Sequence, residues 1–151
     1  MTTKQKIDTD LKAAMLAGDK RLTGILRGLK SAVLYAELAA GKRDSGLDDQ
    51  VVQQLLQKEA KKRQETATLY EQANEPVRQQ AELEEKQVIE KYLPEQLDDT
   101  AIQNLVEESI KSLAADSPAQ MGQVIADVKK RSGGAADGAT IARLVKEALN
   151  A

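Results

Sequence analysis

Apolar residues along the 151-residue chain recur every three or four positions, the period of helices with one buried face. In the first segment they are Ile7, Leu11, Ala14 and Met15, and in the second Leu22, Ile25, Leu26, Leu29, Val33 and Ala36. Gly18-Asp19 lies between them as a stop followed by an N-cap, so the two segments predict an antiparallel hairpin. Gly41-Lys42-Arg43-Asp44-Ser45-Gly46 reads as a polar loop bracketed by glycines. A third helix is expected to start near Asp48 or Asp49 and to bury Val52, Leu55, Leu56, Ala60 and Tyr70. Pro76 ends it, since the residue before a proline is pushed out of the helical region. A fourth helix, from about Val77, carries Ala81, Val88, Ile89 and Tyr92 and closes near Pro94.

The remaining stretch predicts three shorter helices. Asp98 or Asp99 caps the first, whose apolar face is Ile102, Leu105, Val106, Ile110 and Leu113. Ser117-Pro118-Ala119-Gln120 joins an N-cap Ser, a Pro at the first helical position and a Gln at the capping-box position. Met121, Val124, Ile125 and Val128 follow at helical spacing. Ser132-Gly133-Gly134 stops that helix, and Asp137 caps a last one with Ile141, Leu144, Val145, Ala148 and Leu149 on its buried side. The expectation is an all-α chain of two small helical bundles: a hairpin plus long helices over residues 1–95, and three helices over 96–151. The second bundle is close to the smallest size that supports a core.

Composition removes whole classes of chemistry. The chain has no His, Cys, Trp or Phe. Without Cys there is no disulfide, thiolate nucleophile, Fe–S cluster or thiolate zinc site. Without His the commonest general base and transition-metal ligand are missing. No carboxylate loop with hard-cation spacing stands out, so neither metal nor cofactor is expected and self-contained catalysis is not expected either. The net charge of −2 does not suit a nucleic-acid-binding domain taken as a whole. Up to Leu93 there are 16 basic and 15 acidic residues, and beyond it 6 and 9, so any anion binding must be local. No export-type leader and no apolar run of membrane-spanning length is present, which fits a cytoplasmic protein without a membrane role.

Two basic clusters are the candidate sites. Lys58, Lys61, Lys62 and Arg63 bring several cations to one side of the third helix, where phosphates could sit; the plainer reading is a solvated face with Glu59 and Glu65 compensating. Lys129, Lys130 and Arg131 close the helix before the glycine turn, where cations also suit the helix dipole. Arg143 and Lys146 on the next helix extend that patch. The turn Ser132 to Gly138 lacks the residue order of a P-loop, though amides at the following helix start can receive a phosphate. Gly24 and Gly28, four apart inside the second helix, are costly there and predict close packing of another helix. Tyr35, Tyr70 and Tyr92 read as half-buried core residues. The acid pairs Glu84-Glu85, Asp98-Asp99 and Glu107-Glu108 are adjacent in sequence, so they do not face one another on a helix.

The order and spacing of six stretches then become recognisable: Leu22-Thr23-Gly24-Ile25-Leu26-Arg27, Gln57-Lys58-Glu59-Ala60-Lys61-Lys62-Arg63, Tyr92-Leu93-Pro94-Glu95-Gln96-Leu97, Met121-Gly122-Gln123-Val124, Ala136-Asp137-Gly138 and Leu144-Val145-Lys146-Glu147. Together they resemble the YqeY family, whose C-terminal part is similar to the tail domain of the GatB subunit of tRNA-dependent amidotransferase. The resemblance implies a helical domain peculiar to the family, followed by a three-helix tail-like domain. It also implies the label of carbon–nitrogen ligase activity with glutamine as amido-N-donor, although the catalytic modules of the amidotransferase have no counterpart here. On this basis the chain is expected to be a non-catalytic helical adaptor that binds tRNA, another structured RNA or a translation-related protein complex. Lys129, Lys130, Arg131, Arg143 and Lys146 would contact phosphates, and Gly122, Gly134 and Gly138 would allow close approach. Ala135 stands where many relatives carry a basic residue, and Ile125 replaces a common Met. The alternative is a protein–protein interaction module with no nucleic-acid role, its partner packing on an exposed helix face or on the Gly24/Gly28 surface.

Overall fold

The computed structural model describes residues 1–150, which form seven α-helices, one 3₁₀ turn and no strand. Helix contacts fall into two groups, Met1–Leu93 and the residues from Pro94 onward.

In the first unit α1 (Thr3–Leu16) opens on a capping box. Thr2 Oγ1 accepts from the Gln5 amide at 3.2 Å, and Gln5 Oε1 accepts from the Thr2 amide at 2.8 Å. The helix closes through Gly18 at φ +71°, where the Asp19 amide donates back to the Ala14 carbonyl. Asp19 then accepts from the Leu22 amide and starts α2 (Lys20–Ala39), as its sequence position predicts. α3 (Asp49–Gln72) and α4 (Pro76–Glu90) are joined by a tight turn in which Asn74 takes φ +56° and Pro76 occupies the first position of α4. Ile7, Leu11 and Ala14 meet Leu26 and Leu29 of α2, Leu56 and Ala60 of α3, and Ile89 of α4 in one aliphatic core. Beyond Ala60, α3 buries only Ala67 and pairs chiefly with α4.

Polar ties fix where these helices begin and end. Glu37, 1% exposed, accepts from Lys4 Nζ at 2.7 Å, which joins the last turn of α2 to the first turn of α1. The Thr3 amide donates to Asp49 Oδ1 at 2.7 Å, joining α1 to the start of α3. Tyr92, just past α4, donates its hydroxyl to the Asp10 carboxylate.

Three sequence expectations are corrected here. Tyr35 is 73% exposed, because it falls two residues past Val33 and so on the opposite side of α2 from the core. Met15 is 52% exposed, at the rim of the stripe that Ile7, Leu11 and Ala14 bury. Gly24 and Gly28 pack against nothing: no atom lies within 4 Å of where a Cβ would stand at either position.

In the second unit α5 (Asp99–Leu113) is capped by Asp98, whose carboxylate accepts from the Ala101 amide at 2.8 Å. A 3₁₀ turn at Pro118–Gln120 leads into α6 (Met121–Ser132), and α7 (Gly138–Asn150) follows the glycine turn. Ser117 does not cap: the Gln120 side chain instead accepts from the Asp116 amide at 2.9 Å. Ile102, Val106, Val124, Val128, Ile141 and Val145 are almost fully buried together. The Leu97 amide donates to the Ala135 carbonyl at 2.8 Å, tying the approach to α5 onto the turn between α6 and α7. Leu113 is 39% exposed and lies outside this core.

Two measurements follow from these contacts. Gly24→Ala and Gly28→Ala should each raise stability by about 0.5–1 kcal/mol, read as a higher urea midpoint, because each removes a helix-interior glycine without a clash. Burial, and then the hydrogen bond to Asp10, push the Tyr92 phenol above its ordinary value of about 10. Alkaline titration followed by phenolate absorbance should therefore show a late-ionising tyrosine that Tyr92→Phe removes. The fold favours the protonated phenol, so its contribution to stability is intact below about pH 10 and falls as pH rises through the raised value.

Candidate nucleic-acid interface

The C-terminal cluster divides by residue type. Arg131 is committed within the fold: its Nε meets Asp127 Oδ2 at 2.7 Å and its Nη1 lies 3.9 Å from Glu108. The Asp127 carboxyl is held below the usual carboxylate range, first by the adjacent Ser109 hydroxyl, which stands outside strict hydrogen-bond geometry, and then by Arg131. Arg143 reaches Asp99 at 2.9 Å and Glu147 at 3.5 Å. Lys129, Lys130 and Lys146 are exposed and have no carboxylate within 4 Å among the described residues.

Lys129 is the best placed of these. A Cβ at Gly138 would stand 3.7 Å from Lys129 Cε and 3.9 Å from its Nζ, so the side chain runs across the first residue of α7. Asp137 caps that helix by accepting from the Thr140 amide at 3.1 Å and from its hydroxyl at 3.2 Å. An ammonium group over the start of α7 meets the positive end of that helix while it suits the negative end of α6. The start of α7 is already capped by the Asp137 carboxylate, so what this spot holds for an added anion is the Lys129 ammonium.

The glycines differ in what explains them. Gly134 takes φ +86°, a conformation that itself calls for glycine. Gly138 has ordinary space for a methyl group, and Gly122 has open space. Ala135 and Ala136 are both buried, so the turn between α6 and α7 offers no side chain of its own at those positions.

The cluster on α3 shrinks in the same way. Arg63, with 29% of its side chain exposed, bridges Glu82 at 3.1 Å and Glu85 at 3.4 Å on α4. Lys62 pairs with Glu59 at 3.3 Å. Lys58 and Lys61 remain exposed without a carboxylate partner among the described residues. Nothing in the sequence pattern reveals the Arg63 bridge, because its partners lie 19 and 22 residues away and meet it only through the register of the α3–α4 hairpin.

Among the described residues no group of three or more His, Cys, Asp or Glu is arranged to hold a metal ion, and no helix is long and apolar enough to cross a membrane. A family model described as Yqey-like protein matches residues 4–149. No curated protein matches the chain.

The division between committed and free cations is measurable. Arg63→Ala should cost about 1 kcal/mol of stability, since it breaks a half-buried bridge between two helices. Lys61→Ala should stay within about 0.5 kcal/mol of the parent. Equal losses in urea unfolding would show that the α3–α4 bridge contributes nothing.

Proposed function

The chain belongs to the YqeY-like family, and from that premise we propose that it is a helical adaptor binding structured RNA, tRNA first among the candidates, through phosphates that meet its C-terminal unit. The observation that carries this reading is the Lys129 ammonium lying across the start of α7 without a carboxylate partner. Lys130 beside it and Lys146 further along α7 supply two more unpaired cations. Arg131 and Arg143 act one step back, holding the ends of α5, α6 and α7 through their ion pairs. Binding of this kind rests on charge and shape rather than on base edges, which suits a folded RNA with closely spaced phosphates. The chain brings no His or Cys to such a complex. Amide-transfer chemistry of the sort the family resemblance implies would come from another protein bound to the same RNA.

A filter-binding titration with tRNA tests this. Affinity should fall steeply with salt, with a log–log slope near 0.7–0.9 per phosphate contact. Lys129→Gln combined with Lys130→Gln should flatten that slope by roughly two contacts, while thermal unfolding falls only slightly through the lost interaction with the end of α6. Absence of binding by the parent chain at low salt would sink the proposal.

A further inference from the structure

Helix α2 turns a continuous stripe away from its own unit. Lys20, Gly24, Arg27 and Gly28 make its first half, all exposed, and Ser31 follows. Leu34, Tyr35 and Leu38 make its second half, with 44%, 73% and 48% exposure. At about 3.6 residues per turn these positions share one side of the helix. α2 carries four cations and a single acid, Glu37, which is buried against Lys4. Arg21 pairs with Glu84 and Lys30 with Asp8 at 2.8 Å, while Lys20 and Arg27 have no carboxylate partner among the described residues. The stripe is therefore basic at one end, apolar at the other, and bare of side chains at two positions between.

We infer that this stripe docks an amphipathic helix of a partner protein, acidic over one half and apolar over the other. Lys20 and Arg27 call for carboxylates opposite them. Gly24 and Gly28 are unfavourable inside a helix and have no packing reason within the chain, but they let a second helix backbone come close. Leu34, Tyr35 and Leu38 are spaced as the anchors of a helix-to-helix contact, and a tyrosine suits an interface that is apolar on one side and wet on the other. A second copy is disfavoured: a parallel two-fold pair would set Lys20 and Arg27 near their own equivalents, and an antiparallel one would set Lys20 opposite Leu38 with no carboxylate facing it. RNA is disfavoured too: only two of the four cations are unpaired, and three apolar side chains offer phosphates nothing. The surface lies in the first unit and stands independently of the RNA reading for the second.

The probe is a synthetic helical peptide with Glu over one half and Leu over the other, titrated into the isotope-labelled full chain and followed by amide chemical shifts. Shifts should concentrate in residues 20–38. Arg27→Glu, and separately Gly24→Leu with Gly28→Leu, should each weaken binding by roughly tenfold or more. A Cβ at Gly24 or Gly28 meets no atom of another element within 4 Å, and unchanged circular dichroism checks that the leucine variants fold. The proposal is overturned if the peptide perturbs other helices, if the variants bind as the parent does, or if a peptide with Lys in place of Glu binds equally. It is overturned as well if an RNA oligonucleotide moves the same amides while the peptide does not, or if the face instead joins two copies of the chain.

Discussion

With no Phe, Trp or Cys, both cores of this chain are built from Leu, Ile, Val and Ala, and no disulfide supports them. A fully buried aliphatic side chain contributes about 1.5–3 kcal/mol, and a unit of this size has few to spend. The second unit meets that constraint with β-branched residues: Val106, Val124, Val128 and Val145 are all fully buried, between Ile102 and Ile141. Such side chains have few rotamers to lose, so they pack at low entropic cost once a helix has formed. Short helices must then form reliably, which puts weight on their ends. That is where Asp98, Asp137 and the glycine pair at 133 and 134 act.

The first unit meets the same constraint differently. Two polar contacts align its helices at one end. Burying Glu37 would be strongly unfavourable without a cation, so the Lys4 contact obliges the ends of α1 and α2 to stay together. The Thr3 amide on Asp49 adds α3 to the same corner. At the other end of α4, Tyr92 reaches back to Asp10. The α3–α4 hairpin beyond Ala60 has little apolar burial, and Arg63 supplies a charge bridge where a core would otherwise be expected.

Features decided within a few residues were legible in the sequence. Asp19, Asp98 and Asp137 cap the helices they precede, because a carboxylate needs only its own chain three residues ahead. The all-helical class follows from the spacing that Leu26, Leu29 and Val33 share with the apolar residues of the other segments. Reading failed where residue type was allowed to override helical phase. Tyr35 was expected inside because it is aromatic, although its position opposes Val33. Glu37 is charged, yet it falls four residues after Val33 on the buried side and is itself buried. The i,i+4 partners Asp127 of Arg131 and Glu147 of Arg143 lie within reach of a sequence reading, but Glu82, Glu85, Glu108 and Asp99 come from other helices and depend on how those helices align. Of the candidate site, the sequence named every cation but could not separate the committed ones from the free.

That separation has a chemical logic. In each basic cluster the arginine is taken by the fold and, apart from Lys62, the lysines are left to solvent. A guanidinium presents five donors in a fixed fork and so bridges two carboxylates: Arg63 spans Glu82 and Glu85, Arg131 spans Asp127 and Glu108, and Arg143 spans Asp99 and Glu147. An ammonium group is a compact charge on a flexible stem, and losing a fixed partner costs it less. What the C-terminal unit offers to a ligand is therefore a set of adjustable point charges on helices whose arginines are engaged in ion pairs at the surface. Such a surface can follow the spacing of phosphates, yet lacks the planar forks that read guanine in a groove. From Pro94 onward Asp99, Glu108, Asp127 and Glu147 face arginines, so Lys129, Lys130 and Lys146 stand as local positive charges in a unit that is acidic as a whole, and any anion binding there is confined to them.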